Sequence, residues 1–262
     1  MERIEILNNY YAVKDEDSRL SSKCGSVEFI TTVKYIEKYL QKGMKILDIG
    51  AGTGRYSHYF AKNGFEVDAV ELTDHNIEIF KSHITEDEKI TISKGDAIDL
   101  SNIGSDIYDI TLVLGPMYHL YDEVDKISAL KEALRVTKKG GIVFVAYTVS
   151  DSTILQYGFI RGKIKSLIEN GLLSTKDFKP HSEPKEVFEL YRKEDIDSLM
   201  KGFNVTRLHY VGADMASCYM RDIINGMDDE TFDLYIKYHL FICERKDLVG
   251  MTNHSLDIFR KE

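Results

Sequence analysis

The sequence predicts an α/β fold, a mostly parallel sheet wound with helices on both faces. Three observations predict it. Short β-branched runs alternate with amphipathic segments from Met44 to Val149. The runs are nearly continuous in Ile, Val, Leu and Phe, as strands covered on both faces must be. A glycine-rich turn follows the first run and opens the first amphipathic segment, the usual order at the edge of a crossover unit.

The strands are expected at MKILDIG (44–50), FEVDAVEL (65–72), KITISKGD (89–96), YDITLVLG (108–115) and GIVFVAYTV (141–149). Between them lie helices. Arg55–Lys62 stops at Asn63-Gly64, a helix-ending pair. Asp74–His83 begins on a residue suited to capping a helix N-terminus. Asp122–Thr137 spaces Val124, Ile127, Leu130 and Leu134 helically and closes on Lys138-Lys139-Gly140-Gly141, where lysines oppose the helix dipole and the glycines allow a turn into the next strand. Upstream, Val27–Leu40 is expected to form a helix that packs Phe29, Val33, Ile36 and Leu40 on the sheet. Downstream the pattern loosens. Ile154–Leu173 reads as a helix, Phe178–Glu189 as irregular, Glu194–Lys201 as a short helix and Met215–Arg245 as aromatic and helical. Phe203–Val211 and Ser255–Arg260 read as strands that finish the sheet, so the 262 residues form one domain. Its core is 26–149 with 203–262, its N-terminal lid is 1–25, and its cap pieces are 150–202 and 213–251.

Composition narrows the function. A 43% hydrophobic, 29% charged chain is ordinary globular protein. Thirty-four basic against 43 acidic residues give a formal charge of -9, which repels nucleic-acid phosphates and anionic lipid at long range. No apolar stretch approaches the ~20 residues of a membrane span. The first residues, MERIEILNNYYAVKDEDSRL, lack a basic start followed by an apolar core, so no signal peptide is expected. Three cysteines with no paired spacing (Cys24, Cys218, Cys243) fit a reducing, cytoplasmic compartment. His181, His209, His239 and His254 show no ligand spacing with acids or cysteines, so no metal is assigned.

The sharpest feature is Leu47-Asp48-Ile49-Gly50-Ala51-Gly52-Thr53-Gly54-Arg55. Alternating glycines between strand and helix let a ligand approach the backbone and aim free N–H groups at it. A turn needed only for packing would look the same, so the spacing matters. A dinucleotide fingerprint needs glycine where Arg55 stands, and a nucleotide-hydrolase loop needs Gly-Lys-Ser/Thr. Neither is present. Asp48, at the carboxyl end of the first strand, would repel a pyrophosphate and attract a cationic ligand. Glu71 ends the second strand, ~20 residues beyond the loop, where an acid can accept both hydroxyls of a ribose. Asp96 ends the third, placed to accept from an exocyclic amine. One such acid is an ordinary solvated strand end; three beside a glycine loop form a set.

Ile46–Ser57 resembles the first motif of class I S-adenosylmethionine-dependent methyltransferases. Glu71, Gly95-Asp96 and the strand Tyr108–Gly115 follow in that family's order, and LRVTKKGGIVFV (134–145) is similar to the turn before its fifth strand, with Lys139 where the pattern has proline. The resemblance covers residues 26–149 and implies a Rossmann-like seven-stranded sheet with a C-terminal helical and irregular cap. It also implies that S-adenosyl-L-methionine is bound and S-adenosyl-L-homocysteine released. Gly50, Ala51, Gly52 and Gly54 would line the methionine and ribose part, Asp48 the amino end, Glu71 the ribose hydroxyls, and Leu72, Asp96 and Ala97 the adenine. Similar proteins share an N-terminal stretch like Tyr10-Tyr11…Asp17…Arg19-Leu20, which is expected to close over the cofactor. Tyr11 would then cover the site and Arg19 pair with the methionine carboxylate; a surface or packing role is the alternative for both.

After the fourth strand comes Leu114-Gly115-Pro116-Met117-Tyr118-His119-Leu120. Enzymes that methylate nucleobase or glutamine amines carry Asp/Asn-Pro-Pro-Tyr/Phe here. Gly115 removes that side-chain acceptor, and the segment resembles the Gly-Pro-Leu-Tyr-His-Leu version of small-molecule methyltransferases. The expected acceptor is therefore a small molecule, not nucleic acid or membrane, with the chain a monomer or homodimer. His119 is the candidate base and Tyr118 the candidate orienting group, Leu114 and Gly115 bordering the reactive methyl. A structural histidine and a tyrosine packed over the cofactor are the alternatives. Two whole-function alternatives stay open as well: a cofactor-binding regulatory protein without turnover, and an RNA- or protein-directed methyltransferase.

Overall fold

The computed structural model describes residues 3–14, 20–183 and 188–262. In chain order the elements are α1 (Arg3–Tyr11), α2 (Lys23–Glu37), β1 (Lys45–Ile49), α3 (Arg55–Lys62), β2 (Glu66–Glu71), α4 (Asp74–Ser82), β3 (Ile90–Lys94) and β4 (Tyr108–Val113). A single 3-10 turn (Pro116–His119) leads to α5 (Glu123–Val136), β5 (Thr137–Thr148), α6 (Ser150–Thr153), α7 (Ile164–Glu169) and α8 (Lys193–Met200). The chain ends with β6 (Val205–Gly212), α9 (Arg221–Asn225), α10 (Asp229–Ile242) and β7 (His254–Lys261).

Seven strands form one sheet in the order β3-β2-β1-β4-β5-β7-β6. β1 to β5 pair in parallel, and β7 runs antiparallel between β5 and β6. The strand order reverses between β1 and β4, so a crevice opens beyond the carboxyl ends of these strands, where open α/β sheets bind ligands. Val33 and Ile36 of α2 lie on one face with Ile46, Ile110 and Phe144, and Phe29 and Leu40 pack at its edge. Ala129, Leu130 and Ala133 of α5 lie on the other with Leu47, Val113 and Val143. Each fully buried Val, Leu, Ile or Phe among them contributes roughly 1.5–3 kcal/mol.

Several expectations are corrected. The α2 helix starts earlier than Val27 because Ser22 caps it, its side chain accepting from the Gly25 N–H at 3.1 Å. Thr73, not Asp74, stands at the N-cap of α4. The stretch Lys138–Gly141 is not a helix-to-strand turn. α5 passes straight into β5 at Thr137, and the glycines fall where the β4–β5 register shifts between Tyr108 and Ile110. Ile154–Leu173 is not one helix: α6 runs into a π-helical Ile154–Ile160, breaks, and resumes as α7. Gly158 and Gly162 explain the weakness, each costing about 1 kcal/mol relative to alanine in a helix. Met215–Arg245 is likewise split into a 3-10 turn (Met215–Tyr219), α9 and α10. Asp228 starts the last piece by accepting from the Thr231 N–H at 2.7 Å.

Candidate functional site

A cavity of about 460 Å³ occupies the crevice, within the range of small-molecule sites. Its floor follows from the sheet. β1, β2 and β3 end side by side, which brings Asp48, Glu71 and Asp96 to a single wall. Asp48 is fully buried and accepts from the Ser57 hydroxyl at 2.6 Å. Burial pushes its carboxyl up from 3.8 to about 6, the Ser57 hydrogen bond opposing and the Glu71 carboxylate adding to the rise. Glu71 fixes the glycine loop: one oxygen accepts from the Gly52 N–H at 2.9 Å, the other from the Thr73 N–H at 2.9 Å and its hydroxyl at 2.8 Å. Asp96 is hydrogen-bonded by the Arg3 guanidinium of α1.

Two of the loop glycines serve different ends. Gly54 has φ +92, and a Cβ there would meet Phe80 and His58 at 2.5–2.7 Å, so it is required by packing. It does not border the cavity. Gly52 has φ +58 with nothing within 4 Å of a Cβ, and it does border the cavity. A side chain there would project into the space a ligand needs.

Of the other residues singled out by sequence, Tyr11, Gly50, Ala51, Leu72, Ala97, Leu114, Gly115, Tyr118 and His119 all border the same cavity. Arg19 lies outside the described residues. Tyr118 and His119 are buried on the 3-10 turn after β4, their rings 6.2 Å apart. The His119 Nε2 lies 2.8 Å from the Tyr11 hydroxyl. Thus α1 is attached at both ends, Arg3 to Asp96 and Tyr11 to His119, and its eight-residue rise of about 12 Å spans the cavity.

The cavity also gathers residues that the sequence reading missed: Arg3, Gln156, Arg161, Arg221, Asn253 and His254. No motif marks them, because they come from the two ends of the chain and from the loosely patterned cap. Arg161 and Arg221 are exposed and make no ion pair among the described residues. The aromatic residues of α10 do not roof the cavity; Tyr238 and Phe241 are exposed.

The site fits the cofactor implied by the resemblance: three carboxylates face a ligand that carries sulfonium and ammonium charges, and Gly52 leaves open space beside them. The doubly wound sheet, the glycine loop and the strand-tip acids are the arrangement that the resemblance to class I methyltransferases implies. Residues 47–145 match the family described as "Methyltransferase domain". The chain is 24% identical over 187 residues to the ubiquinone biosynthesis O-methyltransferase of Nitrosospira multiformis, covering 69% of this chain and 76% of that one. It is 30% identical over 119 residues to the demethylmenaquinone methyltransferase of Clavibacter sepedonicus, spanning 45% of this chain and 46% of that relative. Among solved structures, an S-adenosylmethionine-dependent methyltransferase of Thermotoga maritima, described as a possible histamine N-methyltransferase, superposes with a TM-score of 0.61 at 15% identity over the whole of both chains. Residues 47–145 thus carry a methyltransferase domain, and the chain has the fold of class I S-adenosylmethionine-dependent methyltransferases. No helix among the described residues is long and apolar enough to cross a membrane.

Proposed function

We propose that this methyltransferase acts on a small-molecule acceptor held between the 3-10 turn after β4 and the cap. One observation carries the reading: Tyr118 and His119 border the same cavity as Asp48, Glu71 and Asp96, so an acceptor against the turn would sit beside the cofactor's reactive end. Small-molecule chemistry is also what the two quinone-pathway relatives carry in their names. The formal charge of -9 argues against a nucleic-acid partner. Its reducing-compartment cysteines suit the cytoplasm, and the free chain would be a monomer or homodimer.

In this reading Asp48 meets the ammonium end of the cofactor, Glu71 the ribose hydroxyls, and Asp96 with Ala97 and Leu72 the adenine. Gly50, Ala51 and Gly52 give the backbone of the cradle. When bound, the cofactor supplies an electrophilic methyl on a cationic sulfur. The protein's part is to align the acceptor and exclude water. Leu7 and Tyr11 of α1 cover the cavity from above, with the Arg3–Asp96 and Tyr11–His119 contacts closing the lid. Tyr118 orients the acceptor, and His119 couples lid closure to the acceptor wall. Arg161 and Arg221 favour acceptors that bear an anionic group.

The test is transfer of labelled methyl from S-adenosylmethionine to phenols, thiols and amines of low mass, run beside bulk tRNA and protein. Label in one of the small-molecule classes supports the reading. Label only in tRNA or protein overturns it.

A further inference from the structure

The cap reaches the cavity through the π-helical turn Ile154–Ile160, a rare conformation that recurs at functional sites. Ile154 and Gly158 are buried, and a Cβ on Gly158 would meet Ile164 of α7 at 3.1 Å. Gln156, Tyr157 and Arg161 border the cavity. In an α-helix, residues five apart diverge by about 140°. Here the Arg161 N–H donates to the Gln156 carbonyl at 3.0 Å, the five-residue bond of a π-helix, and adjacent turns present both side chains to one cavity.

Gln156 is held in one orientation. Its amide nitrogen donates to the Ser152 hydroxyl at 2.9 Å and to Asn253 Oδ1 at 3.3 Å. Ser152 is fully buried. Asn253 is tied at its backbone, its N–H donating to Asp214 at 2.8 Å and its carbonyl accepting from the Val149 N–H at 2.8 Å. With both amide hydrogens so used, the carboxamide oxygen is what Gln156 offers a ligand, and no described residue donates to it. Charge is divided across the cavity, with the carboxylates at the strand tips and two arginines on the cap. Arg3 is taken by Asp96, whereas Arg161 and Arg221 pair with no carboxylate among the described residues, in a chain with 43 acids against 34 bases.

Resting on the methyltransferase reading above, we propose that this turn selects the methyl acceptor, Arg161 and Arg221 holding an oxyanion and Gln156 accepting from an N–H or O–H group of the same molecule. The acceptor class is thereby a small hydroxy or amino acid, its anion a carboxylate or a phosphate, and not an uncharged phenol or quinol. A guanidinium presents a planar fork that matches either oxyanion with two hydrogen bonds. Tyr157, 43% exposed and lying between the two polar residues in sequence, offers a flat apolar surface to the body of an aromatic acid. The two ligands then meet complementary walls: strand-tip carboxylates for a cationic cofactor, cap arginines for an anionic acceptor. Gln156 and Arg161 set specificity and take no part in bond making.

The probes are the hydroxybenzoate isomers and hydroxyphenyl phosphate, with hydroxybenzamides as uncharged counterparts and methoxybenzoates as counterparts without the donor. Each is titrated by calorimetry into protein saturated with S-adenosylhomocysteine. At least one acid should bind about tenfold tighter than the matching amide, as a charge-assisted contact requires. Arg161→Gln should remove that preference and leave the amide's affinity unchanged. In the wild type the methoxybenzoate should bind about fivefold more weakly than the hydroxybenzoate, and Gln156→Leu should make the two equal. Acids no tighter than amides, a preference that survives in Arg161→Gln and Arg221→Gln alike, or no probe binding by protein that binds S-adenosylhomocysteine overturns the proposal. So does an equal loss of acid and amide in Arg161→Gln, the mark of a merely structural role, or a hydroxyl preference that survives in Gln156→Leu. Failure to bind S-adenosylhomocysteine at all would instead strike the underlying methyltransferase reading.

Discussion

Replacing Asp48 by asparagine should make the cofactor-free protein more stable while weakening its hold on the cofactor. The folded value of about 6 lies above the 3.8 of an exposed aspartate. Between those pH values the native chain keeps a proton that the unfolded chain has lost. Stability due to this group therefore falls as pH rises through the window and stays at the reduced level above it. At about 1.4 kcal/mol per pH unit of displacement, the loss is about 3 kcal/mol by pH 7. Asparagine carries no such charge, and its carbonyl can still accept from Ser57. Denaturant unfolding of both proteins at intervals from pH 4 to 8 measures the difference. It should be smallest at pH 4, grow in favour of Asp48→Asn through pH 6, and then level off. S-adenosylmethionine should reverse the order near pH 7.5, because only the carboxylate meets its positive charge. A difference that does not vary with pH would show that Asp48 does not titrate in this window. A difference growing in favour of the wild type would mean that the carboxylate already has a cationic partner.

Gly52→Ala should cost only about 1 kcal/mol of stability, the price of a left-handed residue, yet weaken cofactor binding at least tenfold in calorimetry. Gly54→Ala should instead destabilise the fold by about 2–3 kcal/mol in thermal unfolding, because its methyl meets Phe80 and His58. Arg207→Leu strips a two-bond partner from fully buried Asp257, both contacts being 2.7 Å, and should cost about 3–5 kcal/mol in denaturant unfolding. Tyr11→Phe removes the contact to His119 and should speed cofactor release in stopped-flow measurements without shifting the unfolding midpoint by more than a few degrees.

The sheet core was legible because fully covered strands write themselves as unbroken apolar runs, and each run before Val149 corresponds to a strand. The three strand-tip acids were legible for a related reason. In a parallel sheet, residues at the ends of consecutive runs share one edge, so Asp48, Glu71 and Asp96 converge without any further information. What failed was the cap. Periodicity cannot see the π-helical Ile154–Ile160 or the break before α7, since both depend on how the segment packs against the finished sheet. Sequence spacing shows no acid near His254, because Glu28 and Asp214 reach it only through tertiary structure. The same holds for Arg3, which meets Asp96 from the far end of the sequence. Gly54 illustrates a subtler limit: spacing marked it as part of the loop but could not tell a packing glycine from one that faces the ligand.

Calorimetric titration with S-adenosylmethionine, S-adenosylhomocysteine and NAD tests the cradle itself. One equivalent of either sulfur nucleoside should bind, and Asp48→Asn or Glu71→Ala should weaken it. Heat from NAD alone, with none from the two sulfur compounds, would contradict the account.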